Sequence, residues 1–360
     1  MITDKDPILI MAPLKGFTDH VFRTAYAEHF DGFDYSVSPF IPSKRDRKVK
    51  WNYVKDIWPE KNGGIAVVPQ ILSKAPEDFV ILANYMFDMG YDTVNWNLGC
   101  PFPTVANKQR GSGLLPYTDA IAAFLDHAMT KLKGSLTIKV RLGWETPEEI
   151  FRLIPILNDH PIKEIIIHPR TGIQRYGGTI DHESFGACLN MLNHHVVYNG
   201  DIRSVHDFIL LQKKYPGVTG WMIGRGCLFN PFLPSRIRQV IDAGLCGNGQ
   251  ADCEAVDLPL NHHSCLLKQK RFHEALYYAY QEILDGPGHL LNKMKGFWNY
   301  FSLPFTGCEK LMKKIKKSAH PENYLELVNA VFDAAREDAA LFDHMFYKSI
   351  KSVDEQGRFY

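Results

Sequence analysis

The sequence predicts an α/β chain: a (β/α)8 TIM barrel followed by a C-terminal helical bundle domain. Up to about residue 230, short β-rich apolar runs alternate with helical patterns, the signature of βα units on a parallel sheet. Eight such runs occur and the GxGxxG fingerprint of an open doubly wound sheet is missing, so a closed barrel is the better fit. Beyond about 230 the alternation gives way to long helical stripes. With 360 residues, 45% of them hydrophobic, the chain can bury one large core and a smaller second one.

The eight strand candidates are ILIMA (8–12), DYSVSPF (34–40), GIAVVPQI (64–71), TVNWNL (93–98), LTIKVRL (136–142), EIIIH (164–168), HVVYNG (195–200) and GWMIG (220–224). Between them, YTDAIAAFLDHAMTKLKG reads as a helix with Thr118 as its cap and Gly134 as its stop. TPEE at 146–149 offers Thr146 as N-cap, Pro147 in the first turn and Glu149 to close a capping box. The barrel is expected over 1–243, a linker over 244–263, and a helical domain ending in a polar tail over 264–360.

Composition narrows the classes. No run of eighteen apolar residues occurs, and the acidic start MITDKDPILIMAP is unlike a signal peptide. The seven cysteines are scattered without a CxxC pair, which speaks against a disulfide framework and a zinc ribbon; no metal is expected. The reading is a cytoplasmic protein with reduced thiols. Its net charge of +1 hides an asymmetry: residues 261–320 hold ten Lys and Arg against four Asp and Glu, whereas 321–360 hold four against eight. The local excess of positive charge hints at a polyanionic partner.

In such barrels chemistry gathers at the C-terminal ends of the strands. Those ends read Pro13, Ser38, Gln70, Asn97 with Cys100, Lys139 with Arg141, His168 with Arg170, Asn199 with Asp201, and Gly224 with Arg225. Cys100 has two readings, a small buried filler at a turn or a positioned acid or nucleophile. Polar groups at nearly every strand end favour the second. A thiol of ordinary pKa, about 8.5, stays mainly protonated at neutral pH and serves as a general acid. The glycine-broken stretch after it, PTVANKQRGSGLL, could swing the thiol over a substrate ring.

NGDIRS (199–204) and IGRGCLFNP (223–231) follow the last two strands, where backbone N–H groups often hold a phosphate. Lys139 shares a strand face with Arg141, and so deep a cation calls for an oxyanion, an electron-rich ring or a salt bridge. His168, followed by Arg170, Arg175 and Tyr176 in a glycine-bearing loop, resembles a lid over a planar ligand.

Seven pieces in order, MAPLKGFTD (11–19), PQI (69–71), NLGCP (97–101), KVRLG (139–143), HPRT (168–171), NGDI (199–202) and GRG (224–226), resemble the tRNA-dihydrouridine synthases. The resemblance implies a flavin enzyme that passes hydride from NADPH to FMN and then to the 5,6 double bond of a uridine in tRNA. By the same resemblance Cys100 is the acid that protonates C5, and Asn97, Arg141 and Tyr176 contact the uracil. Gln70, Lys139 and His168 correspond to flavin-ring contacts with Pro13 beside the ring, and Asn199, Asp201, Gly224 and Arg225 to the ribityl and phosphate segment.

A uracil in folded RNA must be unstacked to enter such a pocket, so the rest of the tRNA needs a grip. Lys268, Lys270, Arg271, Lys293, Lys295, Lys310, Lys313, Lys314, Lys316 and Lys317 of the basic segment are candidate phosphate contacts. Trp298, Tyr300 and Phe301 lie among them and are core more often than stacking surface. No protein partner is implied. Two rival functions are an FMN barrel reducing a free pyrimidine or enone, and a non-catalytic tRNA-binding protein on the same scaffold.

Overall fold

The computed structural model of the chain describes residues 7–44, 49–244 and 261–343. Ten parallel strand segments form its sheet: β1 (Ile8–Met11), β2 (Tyr35–Val37), β3 (Ile41–Pro42), β4 (Ala66–Val68), β5 (Gln70–Leu72), β6 (Thr93–Leu98), β7 (Ser135–Gly143), β8 (Glu164–Thr171), β9 (Val196–Tyr198) and β10 (Gly220–Ile223). Their order is β3-β5-β6-β7-β8-β9-β10-β1-β2-β4. β2 and β3 are one strand broken around Pro39, and β4 and β5 one strand broken at Pro69, because proline has no N–H for the ladder. Side chains and loops carry the pairing across the breaks: Ser38 N donates to Val68 O at 3.0 Å, and Gln70 N to Ser38 Oγ at 3.1 Å. Since β2 pairs with β4 and β3 with β5, the sheet closes into an eight-stave barrel.

Helices α1 (His20–His29), α2 (Pro76–Asp88), α3 (Pro103–Ala106), α4 (Thr118–Met129), α5 (Glu149–Asn158), α6 (His182–Met191), α7 (Val205–Lys214), α8 (Arg225–Phe229) and α9 (Leu233–Asp242) connect and follow the strands. Ser204 opens α7 with the reciprocal bonds to Asp207 that define a capping box. Two expected starts differ. Thr118 is the first helical residue of α4 and Tyr117 precedes it without a side-chain cap. At α5 the helix begins at Glu149, whose carboxylate turns back to accept from the N–H groups of Trp144, Glu145 and Thr146, so a side chain of the first turn does the capping.

The period-2 alternation of β7 explains the two sides of the wall. Leu136, Ile138, Val140 and Leu142 join the core between strands and helices, which leaves Thr137, Lys139 and Arg141 on the lumen side. One part of the lumen is apolar, with Ile10, Val37, Ile166, Val197 and Met222 in contact. The other is a buried polar chain: Asn97 Nδ2 donates to Gln70 Oε1, Gln70 Nε2 to Asn95 Oδ1, and Asn95 Nδ2 to Thr137 Oγ1, at 2.7, 2.7 and 2.8 Å. Mutual bonding is what makes burial of these amides tolerable.

The C-terminal helices are α10 (His262–Ile283), α11 (Gly286–Phe301), α12 (Glu309–Lys317) and α13 (Pro321–Glu337). Their core is continuous with Val21, Phe22, Ala25, Tyr26 and Phe30 of the α1 region and with Leu228 and Phe232. Trp298 and Phe301 are buried in it, and Tyr300 is half-buried. Most of the linker, residues 245–260, and the tail from 344 lie outside the described residues. No helix among the described residues is long and apolar enough to cross a membrane.

Candidate active site

The strand ends meet in a cavity with about 880 Å³ of empty space, partly open to solvent. Pro13, Asn97, Cys100, Lys139, Arg141, His168, Tyr176, Asn199, Asp201, Gly224 and Arg225 all line it. Of the residues that the resemblance assigns to the cofactor or the base, Gln70 alone does not. It is fully buried, paired in register with Asn95, and its amide is spent on Asn95 and Asn97.

Asn97 orders the loop that carries the thiol. Its Oδ1 accepts from the N–H groups of Gly99 (3.1 Å) and Cys100 (2.9 Å), an Asx turn at the end of β6. The carbonyl of Cys100 accepts from both N and Oγ of Ser112, and Gly111 adopts φ +57° with a Cβ position only 2.6 Å from that carbonyl oxygen. Only glycine permits that approach. The loop is therefore fastened at both ends and holds the sulfur in place, in contrast to the mobile loop its glycines suggested. Burial pushes the thiol pKa up, against the opposing pull of the Phe102 N–H and of Arg141, Lys15 and Lys139. At neutral pH the group is a protonated thiol at a cavity wall.

Around it the cations are wired individually. Arg141, 2% exposed, donates from Nε to Gly99 O and from Nη1 to Thr171 O, and burial lowers its pKa to about 10. The face of Tyr176 lies 5.6 Å from that guanidinium and 4.9 Å from that of Arg225. Lys139 is half-buried, and burial together with the neighbouring Arg141 brings its pKa down to about 7. His168 is held well below its usual pKa by burial and by Arg141, Lys139, Arg170 and Arg225, so it is neutral. Its Nε2 faces Arg170 Nη1 at 3.2 Å. A guanidinium only donates, so Nε2 accepts and the ring proton sits on Nδ1.

Asp201 is the counterweight. Its carboxylate meets Arg170 at 2.6 Å, Arg203 at 3.0 Å and Arg225 at 3.2 Å, and hydrogen bonding and charge from the arginines hold its pKa low against the raising effect of burial. Arg170 belongs to this buried frame rather than to a lid: it also donates to the carbonyls of Gly177 and Gly178. Asn199 ties β9 to β10 through Met222 O at 2.8 Å. Gly226 lets the last two loops close together, since a Cβ there would stand 2.3 Å from Ile202 O.

Sequence reasoning left Lys15, Phe40, Phe102 and Arg203 without a role, yet all line the cavity. Arg203 carried a signal, two residues after Asp201 in the same strand-end loop; Phe40 carried none. Counted over the lining, five cations (Lys15, Lys139, Arg141, Arg203, Arg225) face one carboxylate. Such a wall suits a ligand with a planar ring system and a phosphate.

Of the basic-segment residues, Lys310, Lys313, Lys314, Lys316 and Lys317 stand exposed on α12. Lys293 does not: it bridges to Asp19 at 2.7 Å and to Gly16 O at 2.8 Å, which ties α11 to the first barrel loop. Lys295 donates to Ser318 O, and Lys268 lies over the ring of Phe30. Lys293 and Lys295 serve packing within the molecule, whereas Lys268 remains exposed.

Known proteins resemble the chain in fold and in sequence. The old yellow enzyme homologue of Zymomonas mobilis superposes with a TM-score of 0.50 at 13% identity, over 72% of this chain and 100% of that one, a likeness of fold. The tRNA-dihydrouridine synthase B of Serratia marcescens is 30% identical over 242 residues, 66% of this chain and 70% of the relative. That of Vibrio cholerae is 28% identical over 264 residues, 72% and 79%. The dihydrouridine synthase family model matches residues 10–320, and the chain belongs to that family.

Proposed function

We propose that the protein reduces the 5,6 double bond of a uridine in tRNA, with FMN as its cofactor, NADPH as the reductant and Cys100 as the proton donor. The observation that carries this reading is a thiol kept protonated on the wall of a cavity whose lining holds five cations against one carboxylate. Family membership supplies the substrate class. When bound, FMN supplies the hydride.

The donor set fits that cofactor. The loops at Asn199–Ile202 and Gly224–Gly226, with Arg203 and Arg225, would hold the phosphate and ribityl chain. Lys139 and the Nδ1–H of His168 would face the polar edge of the ring system, with Pro13 beside it. On the substrate side, Arg141 and Tyr176 orient the base, and the Asn97 turn fixes the sulfur. Cys100 gives its proton to carbon, and the surrounding Arg141, Lys15 and Lys139 stabilise the thiolate that remains. The exposed lysines of α12 hold RNA phosphates.

The test is a reaction of purified protein with FMN, NADPH and tRNA free of dihydrouridine, followed by mass analysis of the nucleosides. A uridine that gains two hydrogens is the expected outcome. Reduction of a free pyrimidine or an enone with untouched tRNA would replace this reading, as would salt-sensitive tRNA binding without any reduction.

A further inference from the structure

Resting on the reading above, we propose that Phe102 is a stacking platform for an RNA base next to the uridine that enters the cavity. Phe102 lines the cavity two residues after Cys100 and is 48% exposed. Its ring makes no aromatic contact among the described residues. Single exposed aromatics are common on protein surfaces; this one is set apart by its place at a substrate cavity and by the rigidity of its backbone.

That rigidity comes from four sides. Pro101 and Pro103 flank it, and a residue before proline is confined to extended backbone, here φ −66° and ψ 135°. Its N–H points to the Cys100 sulfur. Its carbonyl accepts from Val105 N at 2.8 Å and Ala106 N at 2.9 Å, the first turn of α3. The backbone cannot withdraw the ring from water, so the cost of ordering it on binding is small.

The neighbourhood matches nucleic acid. Lys108, exposed, and Arg110, half-buried, follow on the same loop. Lys15, which does line the cavity, sits 4.5 Å from the ring centre of Phe40. Removing a uridine from its stack bares the face of the adjacent base, and an aromatic side chain at the mouth takes the missing neighbour's place whatever the sequence. Flanking cations supply the phosphate contacts.

The experiment compares wild type, Phe102→Ala, Phe102→Leu and Phe102→Trp in steady-state reduction of tRNA, with flavin content and thermal stability as controls for folding. Stacking predicts that Phe102→Ala and Phe102→Leu raise KM for tRNA about tenfold to a hundredfold, that the loss falls on KM rather than kcat, and that Phe102→Trp restores it. A wild-type KM in Phe102→Leu would overturn the proposal, because leucine keeps the apolar surface without the ring. A defect confined to kcat would overturn it too. Wild-type protein that reduces no uridine in tRNA would instead remove the functional reading beneath it.

Discussion

Arg141, Arg170 and Arg225 at the barrel mouth and the five lysines of α12 carry the same charge in opposite surroundings. The first group is buried or nearly so and bonded to named carbonyls or to Asp201. The second stands in solvent on a helix whose one fully buried residue is Ile315. Charge held in a fixed direction can choose a ligand's shape and stabilise one protonation state. Charge spread on flexible stems attracts any polyanion and is weakened by salt. Under the proposed function, recognition of chemistry at the barrel mouth is divided from adhesion to an RNA backbone on α12, and the two should fail separately.

The sharpest break is at the thiol. Cys100→Ala should lower dihydrouridine formation about a thousandfold, in the range of general acid catalysis, while retaining bound flavin and NADPH oxidation; wild-type product formation in this variant would remove the acid role. Next comes the counterweight. Asp201→Asn leaves three guanidinium groups without their carboxylate and should cost about 3 kcal/mol, read as earlier thermal unfolding of flavin-free protein. An unchanged melting curve would show that these cations do not depend on Asp201.

Reversal of Lys313, Lys314, Lys316 and Lys317 to Glu should do the converse. Melting and flavin content stay, whereas tRNA affinity falls at least about tenfold and its salt dependence becomes shallower. A salt slope equal to wild type would move the RNA grip elsewhere. The smallest effect concerns Lys139. Its folded pKa of about 7 lies below that of the unfolded chain, so between pH 7 and roughly 10.4 the unfolded state binds more protons. This group therefore makes flavin-free protein more stable as pH rises across that window, and Lys139→Met should flatten the rise; parallel curves for the two proteins would contradict the assignment.

Much of the fold was legible because each barrel strand announces itself locally. Val94, Trp96 and Leu98 alternate with Asn95 and Asn97, and a one-residue slip would expose every one of them to the wrong side. The strand-end rule then brought Cys100, Lys139, Arg141 and His168 together correctly. What the sequence withheld is partnership at long range. Gln70 at a strand end reads as a ligand contact, and only the pairing of β5 with β6 brings Asn95 and Asn97 within reach of its amide. Lys293 reads as a phosphate contact until the fold sets it against Asp19, 274 residues away. A long basic side chain carries no local mark of whether it meets solvent or a carboxylate. The caps of α4 and α5 failed differently: α4 starts at Thr118 itself with no side-chain cap before it, and at α5 the Glu149 carboxylate accepts from the N–H groups of Trp144, Glu145 and Thr146 in place of the bond expected from Thr146.

The shared core around α1 bears on how the chain can be divided. Phe22 stacks on Phe297 at 5.7 Å and meets Phe272 edge-on, so a cut near residue 244 would bare a greasy flank on the catalytic half rather than free it. Architect and tenant cannot be separated here: the C-terminal helices also keep the barrel from sticking to its neighbours.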